Sequence, residues 1–118
     1  RAFAGEAGRV VIMVTVYLTD DAARDLEELY QFIAMNDAPE KADCVLDQIE
    51  KSFSSLSEMP ERGTYPKELQ ALGIHDFREV FFKPYRIIYQ VSRKRVYILM
   101  IADGRREIRS LLERRLMS

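Results

Sequence analysis

The chain has 118 residues, enough for one domain with its own core and too few for two, and its net charge is −1. Its single cysteine, Cys44, excludes an internal disulfide and implies a reducing compartment, and no apolar run approaches the roughly 18 residues of a membrane span, so a cytoplasmic protein is expected. The near-neutral charge is unevenly spread: from Met13 to Glu61 twelve acids face three bases, whereas from Arg62 onward thirteen bases face six acids, a polarity that suits an anionic partner for the C-terminal half.

Residues 1–12, RAFAGEAGRVVI, differ from the rest of the chain and are taken as a vector remnant or upstream extension, leaving 13–118 as one domain. Val14 to Leu18 is β-branched and predicts a first strand, after which Thr19 or Asp20 supplies a side-chain oxygen to cap a helix. In that helix Ala22, Leu26, Leu29, Tyr30 and Ile33 form one apolar stripe. Asn36 and Asp37 interrupt it, Pro39 suits the first turn of a second helix, and Ala42, Val45, Leu46, Ile49, Phe53 and Leu56 repeat the stripe until Pro60. Cys44 falls inside this second pattern and is expected as a small buried or half-buried residue. Two amphipathic helices with a short break make an antiparallel helical hairpin.

Glu61 to Asp76 reads as a connector in which only Leu69, Leu72 and Ile74 pack. The stretch FREVFFKPYRIIYQV, Phe77 to Val91, then predicts a tight β-hairpin with its turn at Lys83 and Pro84, because a proline inside a strand would remove a ladder hydrogen bond. The period of two sends Arg86, Ile88 and Gln90 to one face and Tyr85, Ile87, Tyr89 and Val91 to the other, so one face is expected as core and the other as a display of guanidinium groups. Ser92 to Arg95, SRKR, is a polar turn. Val96 to Ala102 is apolar on both faces, which predicts a strand that is central or at least covered on both sides. After Gly104, Arg105 to Leu116 forms a short basic helix or tail with Ile108, Leu111, Leu112 and Leu116 on one side.

The β-α-α-β-β-β order, the hairpin FREVFFKPYRIIYQV and the ending IADGRRE resemble the RelE/ParE superfamily of toxins from bacterial type II toxin-antitoxin modules. The likeness spans Met13 to about Glu107. It implies an α+β fold in which the helical hairpin packs on one face of a curved antiparallel sheet, and a cognate antitoxin that wraps and neutralises the toxin in a hetero-oligomer, docked in an apolar groove beside the hairpin or sheet edge. The C-terminal residues Ile108 to Leu116 either cover the sheet or are displaced when the antitoxin binds.

Two mechanisms follow from the resemblance. The RelE branch is a ribosome-dependent endoribonuclease whose partners are the ribosome and messenger RNA, and its chemistry needs cations on the scissile phosphate and groups that move protons. Arg78, Arg86 and Arg106 match its charge-stabilising positions, but an arginine is always protonated and makes a poor general base. Val80 and Leu112 occupy positions where that branch carries a second basic residue and a tyrosine, and His75 and Glu79 are the nearby residues with proton-transfer chemistry. The ParE branch inhibits DNA gyrase without being an enzyme, as in plasmid stabilization modules, and the long helical hairpin with its MPERG ending, the REV step with a proline turn and the incomplete nuclease set favour it. Lys83, Arg105, Arg109 and Leu112 are then candidate partner-binding residues, beside Arg78, Arg86 and Arg106. Arg78 and Arg86 have a purely structural alternative, pairing across the hairpin with acids such as Asp76 or Asp103. No metal or cofactor is expected, because the sequence has no cysteine-histidine cluster, phosphate-binding glycine loop or carboxylate trio.

Overall fold

A computed structural model describes residues 14–117 together with the backbone of 2–4 and 10–12. Strands β1 (Ala2–Ala4) and β2 (Val10–Ile12) pair with each other antiparallel. The reading of residues 1–12 as an extension falls largely outside the described residues. The domain proper follows in the order β3 (Thr15–Leu18), α1 (Asp20–Asn36), α2 (Pro39–Ser54), α3 (Lys67–Gln70), β4 (Arg78–Phe82), β5 (Tyr85–Ser92), β6 (Arg95–Asp103) and α4 (Ile108–Met117).

Local chemistry accounts for the helix boundaries. The Thr19 hydroxyl accepts from the Ala22 amide at 3.2 Å and donates to the Ile98 carbonyl at 2.7 Å, so one side chain both caps α1 and ties its start to β6. Pro39 opens α2, where its missing N–H costs nothing. The two apolar stripes meet the sheet in a core that includes Leu26, Ile33, Val45, Ile49, Ile87, Tyr89 and Ile98. Cys44 corrects the expectation of burial: it is exposed, because it lies about 100° around the helix from buried Val45.

The sheet order is β3-β6-β5-β4. The hairpin forms as expected, with Phe82 opposite Tyr85 and a cis Lys83–Pro84 bond at the turn. The sheet is mixed rather than wholly antiparallel: β4, β5 and β6 are antiparallel neighbours, but β3 joins β6 in parallel. A parallel pair needs a long crossover, and the helical hairpin, connector and β4–β5 hairpin supply it. The pattern of a four-residue strand is the same in either direction.

Strand β6 is central, as its two apolar faces require. A register shift sets Ile88 opposite Met100 but Tyr89 opposite Ile98. The extra residue, Leu99, turns Ile98 and Ile101 toward the helical hairpin while Met100 and Ala102 face the other way. On that second face α4 forms and covers the strand: Ile108 and Leu112 pack with Leu69, Ile88, Met100 and Ala102. Each such buried aliphatic side chain contributes roughly 1.5–3 kcal/mol. The face expected to display guanidinium groups is therefore partly roofed, and Arg86 is 7% exposed.

The connector is more structured than expected. Thr64 bridges to Glu79, extending the sheet edge, and the Tyr89 hydroxyl donates to the Pro60 carbonyl at 2.8 Å while accepting from the Gly63 amide at 3.0 Å. A Cβ on Gly63 would lie 2.6 Å from both the Glu79 carbonyl and that hydroxyl, so only glycine permits this approach. Leu69 is buried as expected, whereas Leu72 is exposed.

Candidate functional site

Pairing between β3 and β6 ends at Leu18 and Ile98, so among the described residues the outer edge of β6 from Leu99 to Asp103 has no strand beside it. There α1 departs from the sheet, and Asp25, Leu29 and Phe32, at i, i+4 and i+7, line the gap. A carboxylate oxygen of Asp25 accepts from the Ile101 amide at 2.9 Å. Arg115 of α4 grips both oxygens of Asp25 at 3.0 Å and donates to the Leu99 carbonyl at 2.6 Å. An acid and a base thus occupy two groups of the strand edge, which blunts it against pairing with another strand.

Next to this clamp lies a groove of about 490 Å³ between α1 and β6, with Leu29, Phe32, Tyr85 and Ile101 as its apolar wall and Arg105 and Arg106 on its border. Phe32 is 65% exposed, a large apolar ring left in water. Arg105 donates to both oxygens of Asp103, the closest contact being 2.6 Å, and this hydrogen bond holds the Asp103 carboxyl below the usual carboxylate range. Burial pushes the Tyr85 phenol up, with Asp103 adding to it. An apolar trough with a charged border suits an amphipathic peptide segment.

The three arginines matched to a nuclease are not brought together. Arg78 lies opposite Tyr89 and Arg86 opposite Phe81, so the two point to opposite faces of the sheet. Arg78 donates to the Gly63 carbonyl at 2.9 Å and the Tyr65 hydroxyl at 3.2 Å, and its guanidinium sits 4.6 Å from the Tyr65 ring centre. Its role here is to hold the connector against β4.

Arg86 forms a fork to Glu68 at 2.7 and 2.8 Å and a further bond to Glu79 at 2.7 Å. Glu79, 5% exposed, is raised by burial despite Arg86, whereas the Arg86 hydrogen bond holds Glu68 below the ordinary glutamate range. The fork to Glu68 likewise raises Arg86, fixing its positive charge. The pairing expected of the two arginines forms with other acids than Asp76 and Asp103: Arg86 takes Glu68 and Glu79, and Arg78 lies 3.9 Å from Glu61. Glu79, a candidate for proton transfer, is engaged in this pair, and His75 is exposed with its ring edge-on to Tyr65 at 4.9 Å.

Arg106 borders the groove with Arg105. Lys83 is exposed at the hairpin turn and shares a second depression with Arg105. Arg109 lies on the outer side of α4, 3.4 Å from Glu113. Leu112 is 2% exposed and belongs to the core under α4, which corrects its assignment to a partner surface; it points at Met100 and Ala102, which the β6 register shift turns toward it. Sequence reasoning missed Phe32 and Asp25. The available signal was an aromatic residue off the α1 stripe, at a spacing that puts it on one flank with Asp25 and Leu29. Among the described residues no cluster of histidine, cysteine and carboxylate side chains could hold a metal, and no helix is long and apolar enough to cross a membrane.

Comparison with known proteins gives this arrangement its context. The chain is 29% identical over 100 residues to Toxin ParE3 of Caulobacter vibrioides, covering 85% of this chain and 96% of that protein. The chromosomal ParDE toxin-antitoxin system of P. aeruginosa shares the fold, with a TM-score of 0.66 and 24% identity over 77% of this chain and 96% of that one. A chain of the RelBE2 toxin-antitoxin complex of Mycobacterium tuberculosis matches with a TM-score of 0.53 and 26% identity, over 78% of this chain and 92% of that one. Sheet, helical hairpin and these likenesses define the class, a RelE/ParE superfamily toxin. Within it, residues 16–108 match the model of the ParE toxin of type II toxin-antitoxin systems, and the chain belongs to that family.

Proposed function

We propose that this toxin inhibits DNA gyrase, blocks replication in the cytoplasm, and is neutralised by a cognate antitoxin that seats an apolar segment in the groove between α1 and β6. The observation that carries the reading is the fate of Arg86. Cleavage of RNA needs several cations converging on one phosphate and a free group to accept a proton. Arg86 is instead enclosed by Glu68 and Glu79 and separated by the sheet from Arg78. What stays open is a binding surface, as a toxin acting by association with a protein target requires. Family membership and the likeness to a curated ParE toxin support the same choice.

The test is a supercoiling and DNA-cleavage assay with purified gyrase. Saturating toxin should suppress supercoiling and accumulate cleaved DNA, and the antitoxin should reverse both. Full supercoiling at saturation refutes the proposal. Pulse labelling after induction provides the cellular counterpart: DNA synthesis should fail first, and early failure of protein synthesis would point to ribosome-dependent RNA cleavage.

A further inference from the structure

Helix α4 roofs only one end of the sheet face opposite the helical hairpin. Toward the other end that face carries Tyr17 of β3, Tyr97 of β6 and Gln90 of β5 in one row, since Tyr17 pairs with Tyr97 and Tyr97 with Gln90. Their chain neighbours Val16, Val96, Ile98, Tyr89 and Val91 belong to the core under the helices, so the period of two sends this row outward. The two tyrosine rings stack with centres 5.5 Å apart and planes 20° from parallel, and Tyr17 is 42% exposed. The Arg95 guanidinium lies 6.0 Å from the Tyr17 ring centre.

Beside the row stands the SRKR turn. Arg93, Lys94 and Arg95 are all exposed, and none enters an ion pair among the described residues. Arg93 has φ 58°, a conformation that glycine or asparagine adopts more readily. Three cations without a carboxylate partner, next to a stacked tyrosine pair, match the chemistry of a strand with exposed bases and phosphates.

We propose that this end of the sheet binds single-stranded nucleic acid, with bases stacking on Tyr17 and Tyr97 and phosphates meeting Arg93, Lys94 and Arg95. An unpaired strand is the fitting ligand because a duplex hides its base faces. The acidic surfaces of α1 and α2 repel a polyanion, and among the basic patches of the C-terminal half this one stands beside two stacked tyrosine rings. The surface is separate from the groove, and its test uses no gyrase, so this inference and the gyrase reading can fail independently.

The experiment is fluorescence anisotropy of a labelled oligo(dT) strand of about 12 nucleotides, within the usual site sizes of stacking platforms, titrated with the full chain. The matching duplex serves as comparison. Binding should be saturable, tighter for the single strand, and weaker with rising salt. Tyr17→Thr, at an exposed edge-strand position that suits threonine, should weaken it roughly 5- to 150-fold. The double variant Arg93→Gln, Lys94→Gln, in an exposed turn, should flatten the log–log salt slope by about 1.4, the value for two lost phosphate contacts. Unchanged melting temperatures check that both variants fold. Absence of saturable binding, preference for the duplex, or full affinity in Tyr17→Thr overturns the proposal.

Discussion

Replacing Arg86 with alanine separates a structural latch from a catalytic group. Arg86 is 7% exposed, and its guanidinium bonds two carboxylates. Removing it leaves Glu68, which can turn toward water, and Glu79, which at 5% exposure cannot. Breaking a buried pair by deleting one partner costs about 3–5 kcal/mol, a large share of the 5–15 kcal/mol that holds a typical domain. In urea, where a domain of this size has a slope of about 2 kcal/mol per molar, the unfolding midpoint should fall by roughly 1.5–2.5 M. The stranded Glu79 adds a pH signature. Its folded pKa, already raised by burial, should rise further without Arg86, so Arg86→Ala should regain stability as pH falls through that folded value toward the unfolded one near 4.3. The double variant Arg86→Met, Glu79→Leu, which removes both charges in favour of apolar volume, should recover most of the loss. A loss below about 1 kcal/mol in Arg86→Ala, or a double variant no more stable than the single one, would refute the latch and free Arg86 for a phosphate.

Other expectations test neighbouring features. Glu68 is held below the ordinary range by Arg86, so its contribution is present above the unfolded value near 4.3 and lost as pH falls through the folded value. Glu68→Gln should therefore be less stable at neutral pH and show a flatter acid limb in thermal melts. Tyr89→Phe removes the hydroxyl shared by the Pro60 carbonyl and the Gly63 amide and should cost about 1–3 kcal/mol by chemical denaturation. Phe32→Ala should leave stability within about 0.5 kcal/mol while weakening antitoxin binding about 30-fold, the effect of a hot-spot residue, measured by calorimetry. Unaltered affinity would place the antitoxin elsewhere.

The local order of the fold is legible in the chain alone. The stripes of α1 and α2, the cap at Thr19, the proline turn of the hairpin and the two apolar faces of β6 are short-range signals, set by side-chain periodicity and backbone preference. They were legible because each involves residues within one or two turns of one another. Tertiary structure decided everything that depends on which strands and helices become neighbours. The parallel pairing of β3, the shift at Leu99 that turns Met100 toward α4, and the burial of Leu112 all follow from register between distant segments. The arginines make the same distinction. Sequence identified Arg78 and Arg86 as basic residues of one hairpin, but hairpin register put them on opposite faces, and Glu68, eighteen residues away in a connector with no period, took the charge of Arg86. The groove arose where β3 stopped and α1 diverged, which brought Asp25, Leu29 and Phe32 of the helix against the open edge of β6. A binding surface of this kind is made by the unfilled space between elements, and only their packing defines it.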